Sequence, residues 1–276
     1  MPIDMVQEIE RIAVWPAFGG FLLVLARVGS ALVFVPLPGL RSGSEIPRIV
    51  LVLGISAALH SRWMVPTTPT LTPAPMTLIA WLVAECCLGI LMGVALSLIL
   101  DAYQFGAQMV GLQAGFSYAS TIDPSNDTDS GVLLILVQLL TGLLFLALGL
   151  DRQILEILAA SFDRIPPGAV AGSLPSETAA RIWTHGANEL LRLGTAAFST
   201  GIRLALPVVV LLLLVDIALA MLSRLEQQVQ LSGILFPAKT LGAFLAVGAV
   251  LPGVSWLFES SAKDALNTLR ELVAPR

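Results

Sequence analysis

Long stretches of this chain are apolar on every side, and polar interruptions divide them into six segments. The first, Ile12 to Val35, is long enough to cross a membrane but carries Arg27. The second, Ile49 to Leu59, is too short to cross alone, because a hydrocarbon core about 30 Å thick needs about 20 helical residues. Met76 to Leu100 is long and interrupted by Glu85, whereas Ser130 to Leu150 holds no charge and reads as the cleanest span. Leu204 to Met221 contains Pro207 and Asp216, and Thr240 to Phe258 is charge-free but includes Pro252. Outer-membrane strands alternate apolar and polar residues in segments of about ten, and these runs do not. The pattern predicts an all-α polytopic membrane protein of about six hydrophobic helical segments, several broken or kinked. It reads as one domain over residues 1–276, with a C-terminal tail at about 259–276.

Two connecting segments carry further information. Residues 102–122 hold no charge but contain Gln104, Gln108 and Gln113 with Gly106, Gly111 and Gly115. At helical spacing Gln104, Gln108, Gly111 and Gly115 share one face. Amides and glycines make poor lipid contact, yet they suit close helix packing or the wall of an aqueous channel. The stretch runs into Asp123-Pro124-Ser125-Asn126-Asp127, a strong turn sequence that ends any helix. Residues 163–176, with Pro166, Pro167 and Gly168, read as a second loop. Ser176 is a plausible N-cap with Glu177 in the first turn. From there the spacing of Trp183, Ala187, Leu190, Leu191 and Gly194 predicts an amphipathic helix leading into the fifth run.

Composition agrees with a membrane setting. Of 276 residues, 56% are hydrophobic and 12% charged, half the share of a soluble domain, so the chain cannot build a soluble enzyme's surface. The formal net charge of −4 supplies no basic surface for nucleic acid. The acidic start, Met1 to Arg11, lacks a signal-peptide pattern, so the N-terminus is expected to be kept. No Lys or Arg occurs between Trp63 and Asp151. If all six runs cross, one side carries Arg11, Arg62, Arg152, Arg164, Arg181, Arg192, Lys263, Arg270 and Arg276, and the other only Arg41, Arg48, Arg224 and Lys239. The positive-inside rule would put the first side in the cytoplasm.

Charges inside the apolar runs need partners. Arg27, Glu85, Arg203 and Asp216 each cost roughly 2.5–3.5 kcal/mol at a helix centre on insertion scales. They read as a proton pathway or, more simply, as pairs that join helices or subunits. Arg27 and Glu85 are natural partners if the first and third runs pack together. Arg203 and Asp216 fall roughly 220° apart on a helix and cannot share a face. The Gly89/Gly93 and Gly111/Gly115 pairs match the small-xxx-small pattern of close helix packing. Pro36, Gly39 and Pro47 mark a turn, and Pro207 a kink. His60 and His185 lack partners at metal-ligand spacing. Cys86 and Cys87 cannot form a four-ligand site, and no phosphate loop, nucleophile elbow or HExxH motif occurs. No metal, cofactor or catalytic residue is expected, and the protein is not expected to be an enzyme.

These residues resemble a known family over about residues 26–241. The likeness begins with Ala26-Arg27, Phe34-Val-Pro36-Leu-Pro-Gly39 and Ile46-Pro47-Arg48, and continues through Glu85, Gly89 and Gly93. Its most specific part is Gly106-Ala-Gln-Met-Val-Gly111-Leu-Gln113-Ala-Gly115-Phe116-Ser117, followed by Asp123-Pro124. Ser161-Phe162, Pro166 to Gly168, Ala205-Leu-Pro207, Arg224, Gln228 and Lys239 complete it. The family is FliR, with its SctT counterpart in virulence-type secretion systems. This chain departs from it at Gln227-Gln228, where a Pro-Gln pair is usual, and at Gly149-Leu150, where Gly-His is frequent.

The resemblance implies a subunit present once in a helical gate of the bacterial inner membrane, within a flagellar basal body or secretion apparatus. Its implied partners are FliP-like and FliQ-like subunits, an FlhB-like subunit, unfolded export substrates and membrane lipid, with no nucleic acid. The resemblance also implies that Val110 through Asp123 forms a plug closing the channel. Gln104, Gln108, Gly111, Gln113, Gly115, Phe116, Ser117, Asp123 and Pro124 are then its plug or channel-lining residues. A secondary transporter of a small solute or ion is the alternative, although such transporters commonly show two similar halves and no internal repeat is visible here.

Overall fold

The computed structural model describes residues 3–35, 45–62, 75–115, 132–172, 175–225 and 232–273. Among these residues every regular element is a helix: α1 (Ile3–Phe34), α2 (Ile46–Arg62), α3 (Pro75–Ala114), α4 (Val132–Ala147), α5 (Leu150–Arg164), α6 (Ala169–Gly172), α7 (Ser176–Leu225) and α8 (Ser232–Val273). Three of them, over Met76–Ala114, Ser176–Met221 and Lys239–Glu271, are long and apolar enough to cross a membrane; α4 and α5 add a fourth span if the pair acts as one. With the shorter apolar helices Phe18–Phe34 and Ile46–Ser61, six apolar helical segments result. The expected all-α membrane class holds.

The boundaries differ from the expected ones in an instructive way. Glu85 does not interrupt α3, which runs for 40 residues, or about 60 Å at 1.5 Å per residue. The amphipathic stretch after Ser176 and the fifth apolar run are one 50-residue helix, α7, which continues through Pro207. Proline costs that helix the hydrogen bond to the carbonyl of Arg203, four residues earlier, without ending it. The stretch from about residue 259 continues α8, which is helical to Val273. Conversely, the run that read as the cleanest span holds one helix that is short of spanning length by itself. α4 has 16 residues, and the chain turns at Gly149 (φ 62) before α5 begins.

The chain divides into two compact units: residues 1–97, 149–192 and 264–276, and residues 98–148 and 193–263. In the first unit Val24, Val28, Ala31 and Leu32 of α1 are buried, as are Leu88, Met92 and Leu96 of α3, Ile154, Leu158 and Phe162 of α5, and Leu266 and Leu269 of α8. α2 lies along α1, with Val52 opposite Gly29 and His60 edge-on to Phe21 at 5.7 Å. Pro47 occupies the first turn of α2, where its missing N–H is of no consequence. In the second unit one cluster joins Ala107, Val110 and Ala114 of α3 with Leu133 of α4, Ala205, Val208 and Leu212 of α7 and Ala243 of α8. Tyr103 packs edge-on against Phe258 at 5.2 Å. Pro36 and Gly39 lie outside the described residues.

Candidate functional site

The first unit is organised around a buried ion pair. Arg27 on α1 and Glu85 on α3 are both fully buried. Arg27 Nε donates to Glu85 Oε2, and its Nη1 donates to the carbonyl of Ile165 at 2.9 Å and to Ser161 O and Oγ at 3.3 Å. The guanidinium lies 4.4 Å from the centre of the Phe162 ring, close enough for a cation–π attraction. Glu85 Oε1 accepts from the backbone N–H of Gly168 at 2.8 Å. The pair therefore ties α1 and α3 to the end of α5 and to the turn that follows. Gly168 takes φ 80, and a side chain there would crowd Trp81 at 3.3 Å, so glycine fits this turn twice over. Arg27 Nη2 has no protein partner, and Arg27 lines a cavity of about 20 Å³ with Leu88, Leu91, Met92, Ser161, Ile165 and Ile182. That is room for one water.

Gly89 and Gly93 make this pairing possible. A Cβ at Gly89 would fall on Ser30 Oγ and the Arg27 carbonyl, and one at Gly93 on the Ala31 carbonyl. Backbones that touch bring Arg27 and Glu85 within reach of one another. A second close crossing lies in the other unit, where a Cβ at Gly106 would stand 2.9 Å from the Gly201 carbonyl and one at Gly201 2.6 Å from the Ala102 carbonyl. Gly201 was not singled out in the sequence. Ala197, Gly201 and Ala205 on one helix, and Ala102 with Gly106 on the other, carry the same small-xxx-small signal.

The second unit holds a different charge cluster at the end of α3. Asp216 of α7 accepts from Lys239 Nζ of α8, at 2.7 Å on Oδ1 and 2.9 Å on Oδ2. Gln113 Nε2, in the last turn of α3, donates to the same Oδ2 at 3.0 Å. These side chains are not sealed: Asp216 keeps 40% of its side-chain exposure and Lys239 20%. Gly115 (φ 83) ends α3, its N–H bonding back to the Leu112 carbonyl at 3.2 Å, a tightened last turn typical of a helix end. Gly111 is thus still helical, and irregular backbone begins no earlier than Gly115. Along the predicted stripe, Gln108 is exposed while Gln104, Gly111 and Gly115 are half-buried, and the buried face belongs to Ala107, Val110 and Ala114 instead. Arg203 is exposed on α7 and does not meet Asp216. Phe116, Ser117, Asp123 and Pro124 lie outside the described residues, as does the side chain of Arg224. Among the described residues no three His, Cys, Asp or Glu side chains gather as metal ligands would.

Comparison with known proteins sets these features in a family. The sequence model described as "Bacterial export proteins, family 1" matches residues 18–265. The chain belongs to that family. It is 26% identical over 272 residues to the flagellar biosynthetic protein FliR of Pectobacterium carotovorum, covering 98% of this chain and 95% of that one. It is 26% identical over 262 residues to FliR of Escherichia coli K12, covering 94% and 92%. The surface presentation of antigens protein SpaR of Shigella flexneri is 28% identical over 163 residues, 59% of each chain. The family match takes in Arg27, Glu85, Gln113, Asp216 and Lys239. This membrane-embedded export protein therefore carries its two charge clusters, and the glycine end of α3, inside the part it shares with the family.

Proposed function

We propose that this export protein is a core subunit of the flagellar or type III protein export gate in the bacterial inner membrane. With FliP-like and FliQ-like subunits, one copy of this chain lines the channel for unfolded export substrates and contributes the segment that closes it; an FlhB-like subunit completes the assembly. The observation that carries this reading is the end of α3. A helix about 60 Å long stops at a left-handed glycine directly before a charge-free stretch, residues 116–122. Backbone that leaves the helix at membrane depth, as it does at Gly115, is tolerated where it is buried in protein or lines a cavity, and a plug would sit in such a place. The half-buried stripe of Gln104, Gly111 and Gly115 around the exposed Gln108 suits a partner helix or a wet wall better than lipid. The exposed apolar faces of α7 and α8 suit neighbouring helices of the same gate. Arg27 and Glu85 have a structural part in this reading, because both carboxylate oxygens are engaged by fixed donors. Family membership favours export over transport of a small solute.

Two measurements test it. Solubilised and purified in mild detergent, the protein should bring FliP-like and FliQ-like chains with it; a monodisperse homodimer would overturn the proposal. Deleting residues 116–122 should leave assembly largely intact and make the membrane leaky to small ions. Unchanged conductance in an assembled deletion mutant removes the closing role from this segment.

A further inference from the structure

We infer that Asp216, Lys239 and Gln113 form a latch holding the root of the closing segment, an inference that rests on the plug reading above. Gln113 sits two residues before the glycine that ends α3, so whatever fixes its side chain fixes the last turn from which the segment departs. The buried face of these turns is made of Ala107, Val110 and Ala114, and in the last turn itself only the alanine at 114, which buries little area. Packing alone thus grips the end of α3 weakly, and a directed polar bond contributes proportionately more.

The three residues come from three helices. Lys239 Nζ reaches both oxygens of Asp216, at 2.7 and 2.9 Å, which fixes the carboxylate's orientation. The oriented Oδ2 then receives the Gln113 amide at 3.0 Å. A charge-assisted bond of this kind is roughly twice as strong as a neutral one. A latch must also open. With 40% of its side chain exposed, Asp216 can be reached by competing donors. Glu85, sealed and doubly engaged, cannot. The same chemistry of a carboxylate in an apolar helix therefore serves two ends, one permanent and one releasable.

The test uses the full chain in the assembled gate, with small-ion leak and amide hydrogen exchange at Leu112–Ala114 as the two readouts. Asp216→Asn and Gln113→Leu should each raise leak severalfold and speed exchange at these amides severalfold. If Asp216→Asn does not assemble, Gln113→Leu carries the test, since it leaves the ion pair in place. Exchanging the charges, Asp216→Lys with Lys239→Asp, returns a carboxylate to the cluster and should bring the leak back toward the parental level. If deletion of residues 116–122 conducts but neither single variant does, the latch is overturned and the plug stands. If the deletion itself does not conduct, the plug fails and the latch's role in gating fails with it. Unchanged exchange at Leu112–Ala114 in both single variants overturns the latch whatever the deletion does.

Discussion

Each unit of the molecule contains an acid–base pair that joins two apolar helices, and these two pairs are built to opposite specifications. Arg27 and Glu85 are fully buried and reach protein donors and acceptors on α1, α3, α5 and the following turn. Asp216 and Lys239 keep 40% and 20% of their side-chain exposure and share only one amide, from Gln113, among the described contacts. Burial converts a pair into a structural commitment, because removing one partner strands a charge where water cannot reach it. Half-exposure leaves the second pair adjustable, so its contribution to stability is small and its contribution to position can be large.

The sharpest way to break this comparison is at Glu85. Glu85→Ala leaves Arg27 Nε and the Gly168 N–H buried without their acceptor and the guanidinium without its counter-charge, and should destabilise the protein by about 3–5 kcal/mol. Yield of the assembled complex and thermal unfolding in detergent measure it. The double variant Arg27→Met with Glu85→Leu should recover part of the loss, since no charge remains buried. A double variant no better than the single would show that the carbonyls of Ser161 and Ile165 matter more than the charge.

A second test attacks the approach that brings the pair together. Gly89→Val places side-chain atoms on the backbone of α1 at Arg27 and Ala31, atoms that cannot swing aside, at a cost of about 1–3 kcal/mol or more. Unfolding of purified Gly89→Val at the parental temperature would contradict the tight crossing. The smallest expected effect is at Lys239. Lys239→Gln should lower stability by less than about 1 kcal/mol, so a loss as large as that of Glu85→Ala would erase the distinction between the pairs.

The sequence revealed much of this by necessity rather than by pattern. An arginine and a glutamate inside otherwise apolar runs each require a partner, and only helix packing can supply one, so Arg27 with Glu85 was legible before any coordinates. Asp216 with Lys239 was legible too, by a simpler count. Asp216 and Lys239 stand 23 residues apart on consecutive helices, a spacing that lets an antiparallel pair of helices bring them level. Lys239 escaped notice because it stands just outside the sixth apolar run, where a lysine looks like an ordinary flanking charge. Gly111 and Gly115 read alike in the sequence, while only Gly115 takes a positive φ and ends α3. Helix lengths were underestimated for a related reason. Hydropathy marks where a helix meets apolar surroundings, not where its hydrogen bonds stop, so α3, α7 and α8 all outrun their apolar runs.

The separations within the Arg27 network bear on how the protein is made. Glu85 follows Arg27 by 58 residues, and the carbonyls of Ser161 and Ile165 follow by 134 and 138. A chain emerging at about 5–20 residues per second therefore delivers an arginine to the membrane some seconds before its acceptors exist, and Gly168 completes the set last. Until Glu85 follows, α1 carries a cation that must remain in water or be sheltered by the insertion machinery. Truncation before residue 85 would leave it so permanently, giving the cell a chemical mark by which unfinished copies can be told from finished ones.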